Sequence, residues 1–250
     1  EWEIAHFTTY TGAVPNQTPT DHGGLFKQGE TYRIVITDGV GHHDPKAIGG
    51  VAAQVLNEVS RLSILQQIER AQTHEERGKS EKKIYRSYIK NLARTYQNGE
   101  GTTLLQAEIT CIGLNRIKLT IGKCGDSDII VLDKNGNVRF ATMDTKNHIN
   151  SDGSKIGLLA IGGNFSEKWL NDVTYIKTEI KVKNAFIIAC SDGLTGCLRD
   201  VEGLIDRHRF RHAVMTGEAL FSDESAPVLP TIKLTPSIIS ATLQNAATHF

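Results

Sequence analysis

Between residues 102 and 141 the chain is a run of strand-like segments with almost nothing between them. TTLLQAEITCIG, RIKLTIGKCG, DIIVLDK and NVRFATM are rich in β-branched and alternating apolar residues. Short turn signals separate them, at Leu114-Asn115-Arg116 and at Lys134-Asn135-Gly136-Asn137, where the Asn-Gly pair favours a tight hairpin turn. Two further apolar runs, VTYIKTEIKV and NAFIIACS, come later. Strands in such close succession are not alternating βα units; they read as antiparallel sheet in an α+β chain.

Helical patterns lie on either side of this block. VAAQVLNEVSRLSILQQIERA sets Val51, Val55, Val59, Leu62 and Ile68 on one recurring apolar face. After the charged break HEERGKSEKK, a second amphipathic pattern carries Ile84, Tyr88, Leu92 and Tyr96, with Gly99 as its stop. A helix is expected after Ser191-Asp192-Gly193 and another over PSIISATLQNAATHF. Strands are expected at 3–9 and 31–37, with a loop rich in Pro, Thr, Gly and Asn between them, and 217–230 has the composition of a long loop. Paired helices over two antiparallel sheets packed as a sandwich would bury every apolar face.

Composition narrows the function classes. Hydrophobic residues are 39% and charged residues 22%, ordinary values for a globular chain. Lys+Arg and Asp+Glu are both 28. That balance, with no basic-aromatic stripe, argues against a nucleic-acid partner. No run approaches the roughly 20 apolar residues that span a bilayer. The N-terminal EWEIAHFTTY lacks the basic start and apolar core of a signal peptide, so a cytoplasmic location is expected. Of the four cysteines, Cys111, Cys124 and Cys190 sit in or beside apolar runs and are expected to be buried reduced thiols; Cys197 does not.

Three apolar strands each run into an Asp beside a Gly or Ser: YRIVITDG at Asp38, IGKCGDS at Asp126 and FIIACSDG at Asp192. Any one of these is first a turn signal. Three in one chain suit a hard divalent cation, which takes oxygen ligands and relieves the repulsion among gathered carboxylates. The glycine lets main chain approach and offers a carbonyl as a further ligand.

The same stretches carry a family resemblance. TDGVGHH (37–43), GEGTTLLQAEI (99–109), IGKCGDSDIIVLDKNG (121–136), Gly162-Gly163 and ACSDGLTGCL (189–198) occur in the order of the protein phosphatase 2C series of Asp-Gly-x-Gly-Gly, Gly-Thr-Thr, Gly-Asp-Ser and Ser-Asp-Gly. The chain resembles that family of metal-dependent serine/threonine phosphatases over about residues 4–250. The resemblance implies a four-layer αββα sandwich, residues 1–250 as a single domain, and a site of two or more Mg²⁺ or Mn²⁺ ions. Asp38 would bridge two ions, the Gly39 carbonyl would bind one, Asp192 would serve the other side, and Asp126 would hold an additional ion. Thr102 and Thr103 would act structurally behind the site. The implied reaction is hydrolysis of phosphoserine or phosphothreonine in a protein substrate, with water activated between two cations about 3.5–4 Å apart.

The chain also departs from the pattern. Thr18 stands where the family has an N-terminal Asp, and no matching phosphate-binding Arg is found. His42 replaces the last Gly of the first motif, which makes it a candidate proton donor to the leaving oxygen. Asp128 replaces an Arg and is expected to face solvent, since unpaired acids are seldom buried. The family's closing Asp-Asn-x-Thr strand does not follow the last helix: either the chain is cut before it, or the site has lost a ligand. The second function class is therefore a binding or scaffolding module that keeps the fold without catalysis. Neither substrate identity nor oligomeric state is legible in the sequence.

Overall fold

The computed structural model describes residues 21–40, 50–72, 78–97, 101–142, 161–162, 170, 173–195, 198, 204–218 and 233–248. The strand expected at 3–9, Thr18, His42, Cys197 and nearly all of the 217–230 loop lie outside these residues. The described chain is α+β with two antiparallel sheets, as expected, and clusters into two compact units. One comprises the described parts of Asn16–Ser127 and Ile156–Lys181; the other includes those of Asp128–Lys155 and Val182–Phe250.

In the first unit five strands pair in the order β1-β2-β5-β6-β9. They are β1 (His22–Gln28), β2 (Thr31–Thr37), β5 (Leu104–Cys111), β6 (Arg116–Cys124) and β9 (Thr174–Lys181). A two-stranded piece, β3 (Gly39–Val40) with β4 (Gly101–Thr102), continues from the end of β2. The strand β1 lies inside the segment expected to be loop. Its two glycines lower strand propensity, but it is an edge strand paired along its whole length with β2. Gly29, at φ 58, supplies the positive φ that a two-residue hairpin turn requires.

Helices α1 (Val51–Ser60), α2 (Ile64–Ala71) and α3 (Glu81–Thr95) belong to this unit. Residues 51–71, expected as one helix, break at Arg61–Ser63. The reason is local: Ser63 and Gln66 form a reciprocal capping box that starts a new helix. The sheet secures the break. Arg33 on β2 donates to the carbonyls of Ser60 and Leu62, and Glu108 on β5 accepts from the Ile64 N–H at 2.7 Å. Arg33 and Glu108 are direct cross-strand partners. Burial pulls the Arg33 pKa down and pushes the Glu108 carboxyl up, the charge of each partly offsetting the other's shift.

The core of this unit joins Val55, Val59, Ile64 and Ile68 to Tyr85, Ile89, Leu104 and Cys124. Its polar members are satisfied: Gln67 and Gln106 exchange hydrogen bonds at 2.7 and 3.0 Å, and Gln106 reaches the Tyr85 hydroxyl at 3.1 Å. Gly122 on β6 makes room for that ring, because a Cβ there would lie 2.3 Å from it. The buried face of α3 is Ile84, Tyr85, Ile89, Leu92 and Ala93, rotated from the expected one so that Tyr88 is only partly buried.

The second unit holds a three-stranded sheet in the order β10-β7-β8: β10 (Phe186–Cys190), β7 (Asp128–Leu132) and β8 (Val138–Ala141). The turn between β7 and β8 is organised by Asp133, whose carboxylate accepts from the Asn135 and Asn137 backbone N–H groups. Gly136 sits there at φ 75. Helices α4 (Asp192–Thr195), α5 (Arg207–Thr216) and α6 (Pro236–Thr248) complete it, with Phe210, Val214, Ile239 and Leu243 packed against Ile130 and Leu132. Asp206 caps α5 by accepting from His208 and Arg209.

Cys124 is buried, and burial pushes its thiol pKa up, but Cys111 is exposed at a strand end and Cys190 is intermediate. The expectation of three buried thiols holds only for Cys124. All three are free. Among the described residues no helix is long and apolar enough to cross a membrane.

Candidate metal centre

The site starts from strand pairing. β2 and β6 flank β5 antiparallel, so the C-terminal ends of β2 and β6 fall beside the N-terminal end of β5. Asp38 follows β2 immediately, and Asp126 follows β6 with only Gly125 between it and Cys124. Both therefore leave the five-stranded sheet at the same end of its strands. A carboxylate oxygen of Asp38 and one of Asp126 lie within 4.8 Å of each other, and both residues are partly buried. Gly125, at φ 107, makes the turn that aims Asp126.

Thr102 and Thr103, both fully buried, hold the Asp38 peptide. The Thr103 N–H donates to the Asp38 carbonyl at 2.8 Å, and the Asp38 N–H donates back to the Thr103 hydroxyl at 3.3 Å. The Thr102 hydroxyl donates to the same carbonyl at 3.0 Å. Thr103 and Ser127 share a hydroxyl–hydroxyl bond of 2.9 Å. One threonine thus ties the Asp38 turn to the Asp126 turn. Gly39, the expected carbonyl ligand, pairs with Thr102, and Thr102 exchanges backbone bonds of 2.8 and 2.7 Å with Ile161, beside Gly162. The hydroxyl of Ser127 was not singled out in the sequence; its place in the Gly-Asp-Ser turn was the available signal.

Asp192 opens α4 in the other unit and is exposed. Its helix is anchored by Asp128, which is fully buried and not solvent-facing as expected. The Asp128 carboxylate accepts from the Thr142 hydroxyl at 2.7 Å and from the Thr195 hydroxyl at 3.3 Å. These hydroxyls replace the water a buried acid loses. The expectation failed because both partners are distant in sequence. His42 lies outside the described residues.

Two carboxylates this close repel each other when ionised, and a divalent cation between them removes that cost. The carboxylate oxygens available here are hard donors, which suits Mg²⁺ or Mn²⁺. The pair fits the metal that the resemblance implies.

No protein-family model matches the sequence, and no curated protein matches it. Solved structures do match. The X-ray structure of the photosystem II phosphatase PBCP is 13% identical, with 91% of this chain and 72% of that one covered at a TM-score of 0.43. The serine/threonine phosphatase Stp1 from Staphylococcus aureus is 16% identical over 81% of this chain and 84% of its own, with a TM-score of 0.41. The PPM Ser-Thr phosphatase MsPP from Mycobacterium smegmatis, solved with cacodylate, is 13% identical over 94% and 87%, with a TM-score of 0.39. These three are structures of phosphatases, each at 16% identity or lower and with a TM-score below 0.5.

Proposed function

We propose that the chain is a divergent metal-dependent phosphatase of the protein phosphatase 2C type, acting on phosphoserine or phosphothreonine in a protein substrate. The observation that carries this reading is the approach of the Asp38 and Asp126 carboxylates to within 4.8 Å on two turns pinned by Thr103. The motif series in which both acids occur supports it. In this reading residues 1–250 work as one domain, and Asp38, the Gly39 carbonyl, Asp126 and Asp192 hold two or more Mg²⁺ or Mn²⁺ ions. Such ions, when bound, supply an activated water and positive charge for the phosphoryl oxygens.

The chain's own part is positioning. Thr102 and Thr103 fix the Asp38 carbonyl so that its carboxylate keeps one direction, and Gly125 lets Asp126 turn toward it. Asp128 holds α4 and with it Asp192. His42 is proposed to protonate the leaving oxygen, imidazole being the group that titrates near neutral pH.

A scaffolding module with this fold is the second reading, favoured by Thr18 in place of an acid. Turnover of a phosphopeptide with and without Mn²⁺ separates the two. The phosphatase reading expects Mn²⁺-dependent release of phosphate that Asp38→Asn and Asp192→Asn each reduce by a factor of about a hundred or more. Stable, folded protein with no Mn²⁺-dependent release would overturn it in favour of the scaffold.

A further inference from the structure

Away from the acidic turns, the three helices of the first unit line an open groove of about 650 Å³. That lies within the volume range of small-ligand sites. Asn57 comes from α1, Arg61 from its C-cap, Arg70 from the last turn of α2, and Tyr88 and Asn91 from α3. The electrostatics of the groove are uneven. Its acid, Glu58, already accepts from the Tyr96 hydroxyl at 2.8 Å. Among the described residues no ion pair is formed by Arg61 or Arg70. Each could be read as a charge that complements a helix C-terminus. That role does not account for both facing one groove beside three side-chain amides, those of Gln54, Asn57 and Asn91. Nor does it account for Tyr88, whose hydroxyl is buried with no hydrogen-bond partner among the described residues. A buried hydroxyl left so is costly, and an acceptor brought into the groove would relieve it.

We propose that this groove binds a small organic anion of about nucleotide size, its phosphate or carboxylate held by Arg61 and Arg70 and its polar body by Asn57, Asn91 and Tyr88. Guanidinium groups recognise both anion types through paired N–H donors, so the recognised chemistry is the oxyanion itself. The assignment does not depend on the phosphatase reading, since none of these residues belongs to the acidic turns.

Calorimetric titration of the full chain tests it, on protein freed of divalent cations over a chelating resin so that no cation serves Asp38. The probes are adenosine monophosphate, inorganic phosphate, citrate and adenosine. Saturable binding is expected for adenosine monophosphate or citrate, and the stronger of the two tells phosphate from carboxylate. Arg61→Gln and Arg70→Gln should each weaken it about tenfold, the scale of one charge-assisted contact. Arg61→Lys and Arg70→Lys, which keep the charge, should weaken it less and serve where a glutamine variant loses its circular-dichroism signal. No binding at roughly millimolar probe, equal binding of uncharged adenosine, or unchanged affinity in the arginine variants would each overturn the proposal.

Discussion

Thr103 grips the peptide of Asp38 from both directions, donating its N–H to the Asp38 carbonyl at 2.8 Å and accepting the Asp38 N–H on its hydroxyl at 3.3 Å. The same hydroxyl meets Ser127 at 2.9 Å. Thr103→Val keeps the shape and the main-chain bond but removes the hydroxyl. It should cost about 1–2 kcal/mol in urea unfolding, the penalty for stranding buried partners. It should also weaken Mn²⁺ binding in a calorimetric titration, because both acidic turns lose a common tether. Unchanged stability and metal affinity would show that the hydroxyl is idle.

Asp128 answers to two hydroxyls, those of Thr142 and Thr195. Asp128→Ala removes a buried acceptor from both and should destabilise the protein by about 1–3 kcal/mol. The control is Thr195→Val in the Asp128→Ala background, because the Thr142 hydroxyl also accepts from the Ile129 N–H at 3.0 Å and must stay. Removing the stranded Thr195 hydroxyl should recover part of the loss, and a further loss instead would contradict the assigned network.

The contact of Gly122 with Tyr85 leaves no space for a methyl group. Tyr85 is fully buried and held by Gln106, so its ring cannot retreat cheaply. Gly122→Ala should cost about 1–3 kcal/mol by overpacking. A Tyr85→Leu change in the same chain should make the alanine better tolerated than it is alone, as measured by the midpoint of chemical denaturation.

Asp133 makes stability depend on acid. Burial pulls its carboxyl upward, but hydrogen bonds from Asn137 and Asn135 and the Arg139 charge outweigh that and hold it below the usual carboxylate range. A carboxyl lowered in the folded state stabilises fully above its unfolded pKa of about 3.9 and loses that contribution as pH falls through the folded value. The stability difference between the wild type and Asp133→Asn should therefore be constant near neutral pH and shrink below about pH 4. A difference that grows on acidification would reverse the sign.

Much of the β structure was legible because period and punctuation agreed. In 102–141 the alternation of Ile117, Leu119 and Ile121 and the turns at Gly113 and Gly136 point to the same strand ends. β1 was hidden because HGGLFKQ has weak strand propensity, and its edge is decided by pairing with β2. The helix break at Arg61–Ser63 was hidden because apolar spacing runs through it from Val59 to Ile68, although Ser63 and Gln66 carried the signal. At the site, Asp38 and Asp126 could be picked out as acids at strand ends, and Thr103 as part of a motif. The burial of Asp128 could not, since its partners lie 14 and 67 residues away and only tertiary structure brings them.

The pairing of Arg33 with Glu108 across β2 and β5 has a consequence for the order in which this unit assembles. α1 and α2 have 10 and 8 residues, too few to persist by themselves in water. The two charges that close one helix and open the next arrive side by side only when β2 and β5 zip in register. The sheet thus acts as a template, and the helices crystallise on it. In pulsed hydrogen exchange during refolding, the Ile64 amide should gain protection after those of Ile34 and Ala107, and an earlier Ile64 would make the helices the seed instead.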